Sequence, residues 1–171
     1  ILRKKNKQLS QLYIHDSLTG LYNRMAYEKL ALPLFQQYMQ KGRPVGILFA
    51  DADHLKYIND NFGHDMGNLA IRSIASVIQQ QCPVGSISMR YGGDEFVCVI
   101  PDYSQSKIQQ LKESILASLE EFSSTSRTVF PLEASIGFVV ADDPVFSLND
   151  YINLADEKMY AEKKERKATR Q

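Results

Sequence analysis

Residues Ser88 to Ile100, Ser-Met-Arg-Tyr-Gly-Gly-Asp-Glu-Phe-Val-Cys-Val-Ile, admit few folds, because they read as two apolar strands joined by a short turn. Ile87 and Met89 alternate with polar neighbours on the way in, and Phe96 to Ile100 is continuously apolar on the way out. An unbroken apolar run of that length is the pattern of a strand covered on both faces. Gly92 and Gly93 supply the backbone freedom for a tight hairpin turn. The turn then carries two adjacent carboxylates, Asp94 and Glu95, at the tip of buried arms. Adjacent acids repel, so a turn holding both points to a cation. A solvated acidic turn is the simpler reading of those four residues taken alone.

The rest of the chain bounds the choice. Its 171 residues suit one domain with a real core. Twenty basic and 20 acidic residues cancel, so no global field draws nucleic acid or an anionic membrane. There is no bilayer-length apolar run and no signal-peptide pattern. Cys82 and Cys98 lack metal-ligand spacing, and Cys98 reads as a small core residue. These features fit a cytoplasmic domain, within a protein that is itself larger or membrane-anchored.

Residues 1–14 are basic and helix-forming, with Leu2, Leu9 and Leu12 at a and d spacing. They are expected to be a helical linker arriving from an upstream sensory domain, with residues 15–171 forming the domain proper. Turn formers from His15 to Asn23 break that helix. Arg24 to Gln40 returns to helical spacing, with Ala26, Leu30 and Leu34 on one face and Pro33 expected to kink or locally break it. Val45 to Ala50 reads as a buried strand ending in Asp51 and Asp53. A short helix follows, with Asp53 its expected N-cap. Phe62 to Asn68 reads as a turn-rich connector, and a helix is predicted from Leu69, with Ala70, Ile74, Val77 and Ile78 on one face. Beyond the hairpin, Ile108 to Phe122 is an amphipathic helix and Ser123 to Arg127 a polar loop. Thr128 to Val140 is strand, and Ser147 to about Lys164 a final helix with a basic end.

In order, the middle of the chain is strand, helix, strand, strand, helix, strand. This is the split βαβ of an α+β, ferredoxin-like sheet, its helices packed on one face, with further helices flanking it. The first strand then lies beside the hairpin in the sheet centre, and Asp51 approaches Asp94. Asp51, Asp94 and Glu95 form a hard-oxygen set suited to Mg²⁺ or Mn²⁺ together with substrate phosphates. Such a site neutralises a triphosphate and activates an attacking oxygen. Lys56 and Lys163 add positive charge, and the helix start at Asp53 to Lys56 offers amide groups to an anion. Simple helix capping by Asp51 and Asp53, with solvated lysines, is the competing reading.

Arg90-Tyr-Gly-Gly-Asp-Glu-Phe96 resembles the signature of the GGDEF family, the diguanylate cyclase domains of bacterial signalling. Asp16 to Arg24 resembles the family's entry motif, and Asp51 to Asp60 with Gly63-His64 its metal and base-binding segment. Ser135-Ile-Gly137 and Ala155-Asp156 with Tyr160 fit its two C-terminal blocks. The resemblance implies a palm-like nucleotidyl cyclase fold in which two facing domains condense two GTP into cyclic di-GMP and pyrophosphate. It implies that Asp51, the Ala52 carbonyl and Asp94 hold Mg²⁺, with Glu95 sharing in that site or deprotonating the 3′-hydroxyl. It further implies phosphate binding by the amides of His54 and Leu55 with Lys56, by Lys163 and by the position of Lys167, and guanine contact by Asn59.

Three positions depart from the family pattern. Asn68 stands where a guanine-reading Asp is usual. A carboxylate accepts both guanine donors, whereas an amide has one acceptor and one donor face. A site built for hydrogen bonds rejects a mismatched base strongly. Lys167 replaces a phosphate-binding arginine, keeping the charge without the bidentate fork, while Arg166 is adjacent. Pro83-Val-Gly-Ser86 occupies the place of the family's Arg-x-x-Asp inhibitory product site, so no product inhibition there is expected. Three readings follow: a cyclase needing a second copy of itself, a degenerate nucleotide- or partner-binding module, and a cyclase that accepts ATP.

Overall fold

The structure is a computed structural model. It describes residues 1–126 and 128–170, together with their side chains except those of residues 10–12. Helix α1 spans Leu2–Ile14, with Leu2 and Leu9 exposed; the expected seam residue Leu12 lies outside the described side chains. A π-helical turn, Tyr27–Ala31, runs into α2, Leu32–Gln40. Strand β1 is Val45–Ala52, α3 Leu55–Phe62, α4 His64–Gln81, β2 Ile87–Arg90 and β3 Glu95–Pro101. Helix α5 is Gln105–Thr125, β4 Ala134–Ala141 and α6 Leu148–Thr169.

The sheet order is β2-β3-β1-β4, with every neighbouring pair antiparallel. That is the split βαβ order, with β1 central. One sheet face packs Leu48, Ala50, Phe96, Cys98 and Ile100 against α4 and α5. The other packs Ile47, Phe49, Val97 and Val99 against the α2 region and α6. Both faces are therefore helix-covered: the crossover helices α4 and α5 share one face, as the split βαβ unit requires, and the α2 region and α6 cover the other. This explains why β1 and β3 are apolar without alternation.

Three local expectations are corrected. Pro33 has no N–H, and its ring crowds the carbonyl four residues back. The helix absorbs this with the π turn just before it. The extra residue moves the buried stripe to Ala26, Ala31, Phe35 and Met39, and Leu30 and Leu34 are only partly buried. The connector expected from Phe62 to Asn68 is almost entirely helical, because Gly63, at φ 89°, alone makes the break between α3 and α4. Finally, β4 begins at Ala134 rather than Thr128, and α5 extends to Thr125, into the expected loop; Arg127 lies outside the described residues.

Candidate active site

The ladder brings the acids together. Asp51 stands opposite Glu95 on one side and Ser135 on the other. The Ala52 amide donates to the Asp94 carbonyl at 2.9 Å, tying the hairpin turn to the end of β1. Neither Gly92 nor Gly93 adopts positive φ, so the turn does not use them as left-handed hinges. Gly92 leaves space for the Glu95 side chain: a Cβ there would lie 2.8 Å from a carboxylate oxygen, which would have to swing aside.

Asp53 is not the N-cap of α3. His54 takes that position in a left-handed conformation, φ 60°, and no side chain caps the helix. Asp53 is 6% exposed instead. Its carboxylate accepts the Ser135 hydroxyl at 2.7 Å and lies 3.5 Å from Lys163 and 3.4 Å from Arg166. Two cations and a hydroxyl outcompete a helix amide for a buried carboxylate. The first amides of α3 are left without a side-chain acceptor.

Burial and the neighbouring Asp94 carboxylate push Asp51 up to about 7, and Lys163, 3.3 Å away, only partly offsets them. Burial and Asp94 also raise Glu95, with Asp156 adding to the effect and Arg24 opposing it. Burial works against the Lys163 ammonium, but Asp51 and Asp53 outweigh it and hold it above its ordinary value. Asp51 Oδ1 is buried and has no hydrogen-bond partner. An orphaned oxygen beside a second carboxylate fits a divalent cation. Among the described residues no group of three His, Cys, Asp or Glu side chains converges as a cage. The other ligands would be backbone oxygen, water and phosphate, the usual habit of Mg²⁺.

This arrangement sets a pH dependence. The native Asp51 binds its proton more tightly than the unfolded one, so between about pH 4 and pH 7 the folded state holds the extra proton. Stability from this group is therefore lost as pH rises through that window. In metal-free protein, Asp51→Asn is expected to stabilise by about 1–2 kcal/mol at neutral pH, after discounting for solvent screening. It should have little effect near pH 4. Thermal melts across pH check this, and equal melting temperatures at both ends would contradict it.

A cleft of about 430 Å³ opens beside the acids. His54, Leu55 and Lys56 form one wall, Lys163, Arg166 and Lys167 another, and Ala52, Asp53 and Asp94 are at its base. Helix α6 reaches this position because Gly137 lets its backbone lie directly on β4. Asn59 packs against α4 at Gly67, where a Cβ would come within 1.8 Å of the Asn59 Oδ1. Asn68 is the next residue and is exposed. The Pro83–Ser86 segment is a closed turn, the Ser86 amide donating to the Pro83 carbonyl.

Two contributors, Asp16 and Arg90, had no role assigned from the sequence, and Arg166 has a partner the sequence did not give it. Arg90 donates to the Gly93 carbonyl at 2.8 Å and to Asp16 at 3.2 Å, bracing the turn against the entry loop. Burial alone would raise Asp16, but hydrogen bonds from Thr19 and the Arg90 charge hold it below the usual carboxylate range. Arg166 binds Asp53 and the Ser135 hydroxyl. Asp16 and Arg90 both lie in family-like motifs, yet 74 positions separate them, and no local signal pairs them.

Residues 13–169 match the family model described as diguanylate cyclase, GGDEF domain. The chain is 34% identical over 166 residues to diguanylate cyclase VdcA of Vibrio cholerae, covering 95% of this chain and 48% of VdcA. It is 32% identical over 169 residues to diguanylate cyclase DgcP of Escherichia coli, covering 98% and 50%. The chain thus spans about half the length of these relatives. A solved structure of the coiled coil and GGDEF domain of DgcB from Caulobacter crescentus, in complex with c-di-GMP, superposes with a TM-score of 0.88. The identity there is 28%, with coverage of 95% of this chain and 87% of that one.

Proposed function

The chain belongs to the GGDEF family, and we propose that it is a diguanylate cyclase domain that condenses two GTP into cyclic di-GMP and pyrophosphate. The observation that carries this reading is the meeting of Asp51 and Asp94 beside Lys163, with Asp94 and Lys163 lining a cation-walled cleft. Asp51, Asp94 and the Ala52 carbonyl would hold Mg²⁺ or Mn²⁺, with Glu95 sharing the site or taking the 3′-hydroxyl proton. The metal, when bound, neutralises triphosphate charge and acidifies the attacking hydroxyl.

The amides of His54 and Leu55, with Lys56, receive the β- and γ-phosphates at the start of α3. Lys163, Arg166 and Lys167 close on the phosphates from α6, and Asn59 reads guanine. Burial raises the Glu95 carboxyl, which makes it a better proton acceptor than an ordinary glutamate. One domain holds one nucleotide, so a second copy must face it, and α1, with Leu2 and Leu9 exposed, is the element through which an upstream sensory domain would set that pairing. No helix among the described residues is long and apolar enough to cross a membrane. The test is incubation with Mg²⁺ and GTP, ATP or both, with products identified by mass spectrometry. No cyclic dinucleotide from any mixture would overturn the cyclase reading in favour of a binding module.

Asn68 favours a second reading, relaxed base selectivity. Exposed beside the Asn59–Gly67 contact, it offers guanine one acceptor where a carboxylate offers two. Asn68→Asp is expected to tighten GTP relative to ATP by about tenfold, the worth of one good hydrogen bond. Titrations that leave both affinities unchanged would dispose of this idea.

A further inference from the structure

The cation-walled cleft also contains a carboxylate that the cyclase reading does not use. Glu133 immediately precedes β4 and lines the cleft, with its side chain 27% exposed. Its carbonyl accepts the Asp53 amide at 2.9 Å, so the main chain is anchored. The carboxylate takes both Arg170 nitrogens at 3.3 Å and lies 3.5 Å from His54 Nε2. Asp53, another acid paired with cleft cations, is buried and held by Ser135, Lys163 and Arg166. Glu133 differs, because both its partners are half exposed or more, His54 at 50% and Arg170 at 60%. They are free to exchange it for another anion.

We propose that Glu133 sets the phosphate affinity of this cleft as a resident counter-anion that competes with the polyphosphate tail for Arg170 and His54. It weakens triphosphate and pyrophosphate binding below what Arg170 and His54 would give without it. The inference rests on the reading of this cleft as the phosphate site. A negative charge in the wall repels each incoming phosphate while it occupies two of the groups that would hold it. The same repulsion speeds departure of pyrophosphate, the kind of step that often limits turnover.

The test is calorimetric titration of the intact chain with inorganic tripolyphosphate and with pyrophosphate, each with Mg²⁺, beside Glu133→Gln. Glutamine keeps the size and leaves the main-chain bond to Asp53 untouched. Glu133→Gln is expected to tighten both ligands by roughly tenfold, the scale of one unscreened like-charge contact. The gain should shrink as salt rises and fall when Arg170→Gln is added. Unchanged or weaker binding overturns the proposal, since it would mean that Glu133 orients Arg170 toward phosphate or does nothing. Absence of binding by either protein overturns the phosphate reading and this inference together. Tighter binding in a protein that makes no cyclic dinucleotide upholds the inference and sinks the cyclase reading alone.

Discussion

Replacing Asp94 with alanine is expected to lower cyclic dinucleotide formation by about 10³-fold while leaving the domain folded. The carbonyl of residue 94, not its side chain, accepts the Ala52 amide, so the substitution leaves the turn tied to β1. What it removes is one of two carboxylates that share the site, and with it several kcal/mol of charge stabilisation, each 1.36 kcal/mol being tenfold in rate. The loss also relieves Asp51, whose carboxyl should fall from about 7 toward the ordinary range. Asp94→Ala should therefore be inactive yet at least as stable as the parent near neutral pH without metal. Mass spectrometry of the products and a thermal melt separate the two effects. Activity within tenfold of the parent would show that Asp94 has no part in the reaction.

The largest structural effect is expected at Gly137. A Cβ at this position of β4 would lie 2.2 Å from the Ala155 carbonyl oxygen and 2.3 Å from the Met159 nitrogen. Both are backbone atoms of α6, so no side chain can rotate away, and the helix itself must lift from the sheet. Overpacking of this kind costs about 3 kcal/mol or more. For a domain of this size that lowers the melting temperature by about 6–12 °C. Because α6 also carries Lys163 and Arg166, nucleotide binding should weaken even where Gly137→Ala is still folded. Gly93→Ala is the matched control, since a Cβ there meets nothing within 4 Å. Equal melting temperatures for the two variants would refute the close-packing account.

Much of the fold is legible because burial imposes period. The continuous apolar runs of β1 and β3, and the helical stripes of α5 and α6, announce their elements in the order that the split βαβ requires. The start of α4 is hidden for a physical reason: its first turn holds Gly67 and exposed Asn68 beside α3, so it carries no apolar stripe. The π turn is hidden because the spacing of Ala26, Ala31, Phe35 and Met39 belongs to no single helical period. Asp53 invites assignment as a helix cap, because a capping signal is local. The partner that claims it, Ser135, is 82 positions away.

The sequence by itself determined which chemistry the chain carries: the strands, the two acids of the Gly-Gly-Asp-Glu turn, the basic final helix and the motifs of one family. The tertiary structure alone decided which charges meet. Coulomb energy depends on distance in space, and the ladder register sets Asp51 beside the turn, while Gly137 sets Lys163 beside Asp51. That juxtaposition turns the acidic tip of a hairpin into a carboxylate pair in which burial and the neighbouring Asp94 push Asp51 up to about 7. The carboxylate of Glu133 in the opposite wall follows from the same rule, for nothing around it in the chain announces its partners.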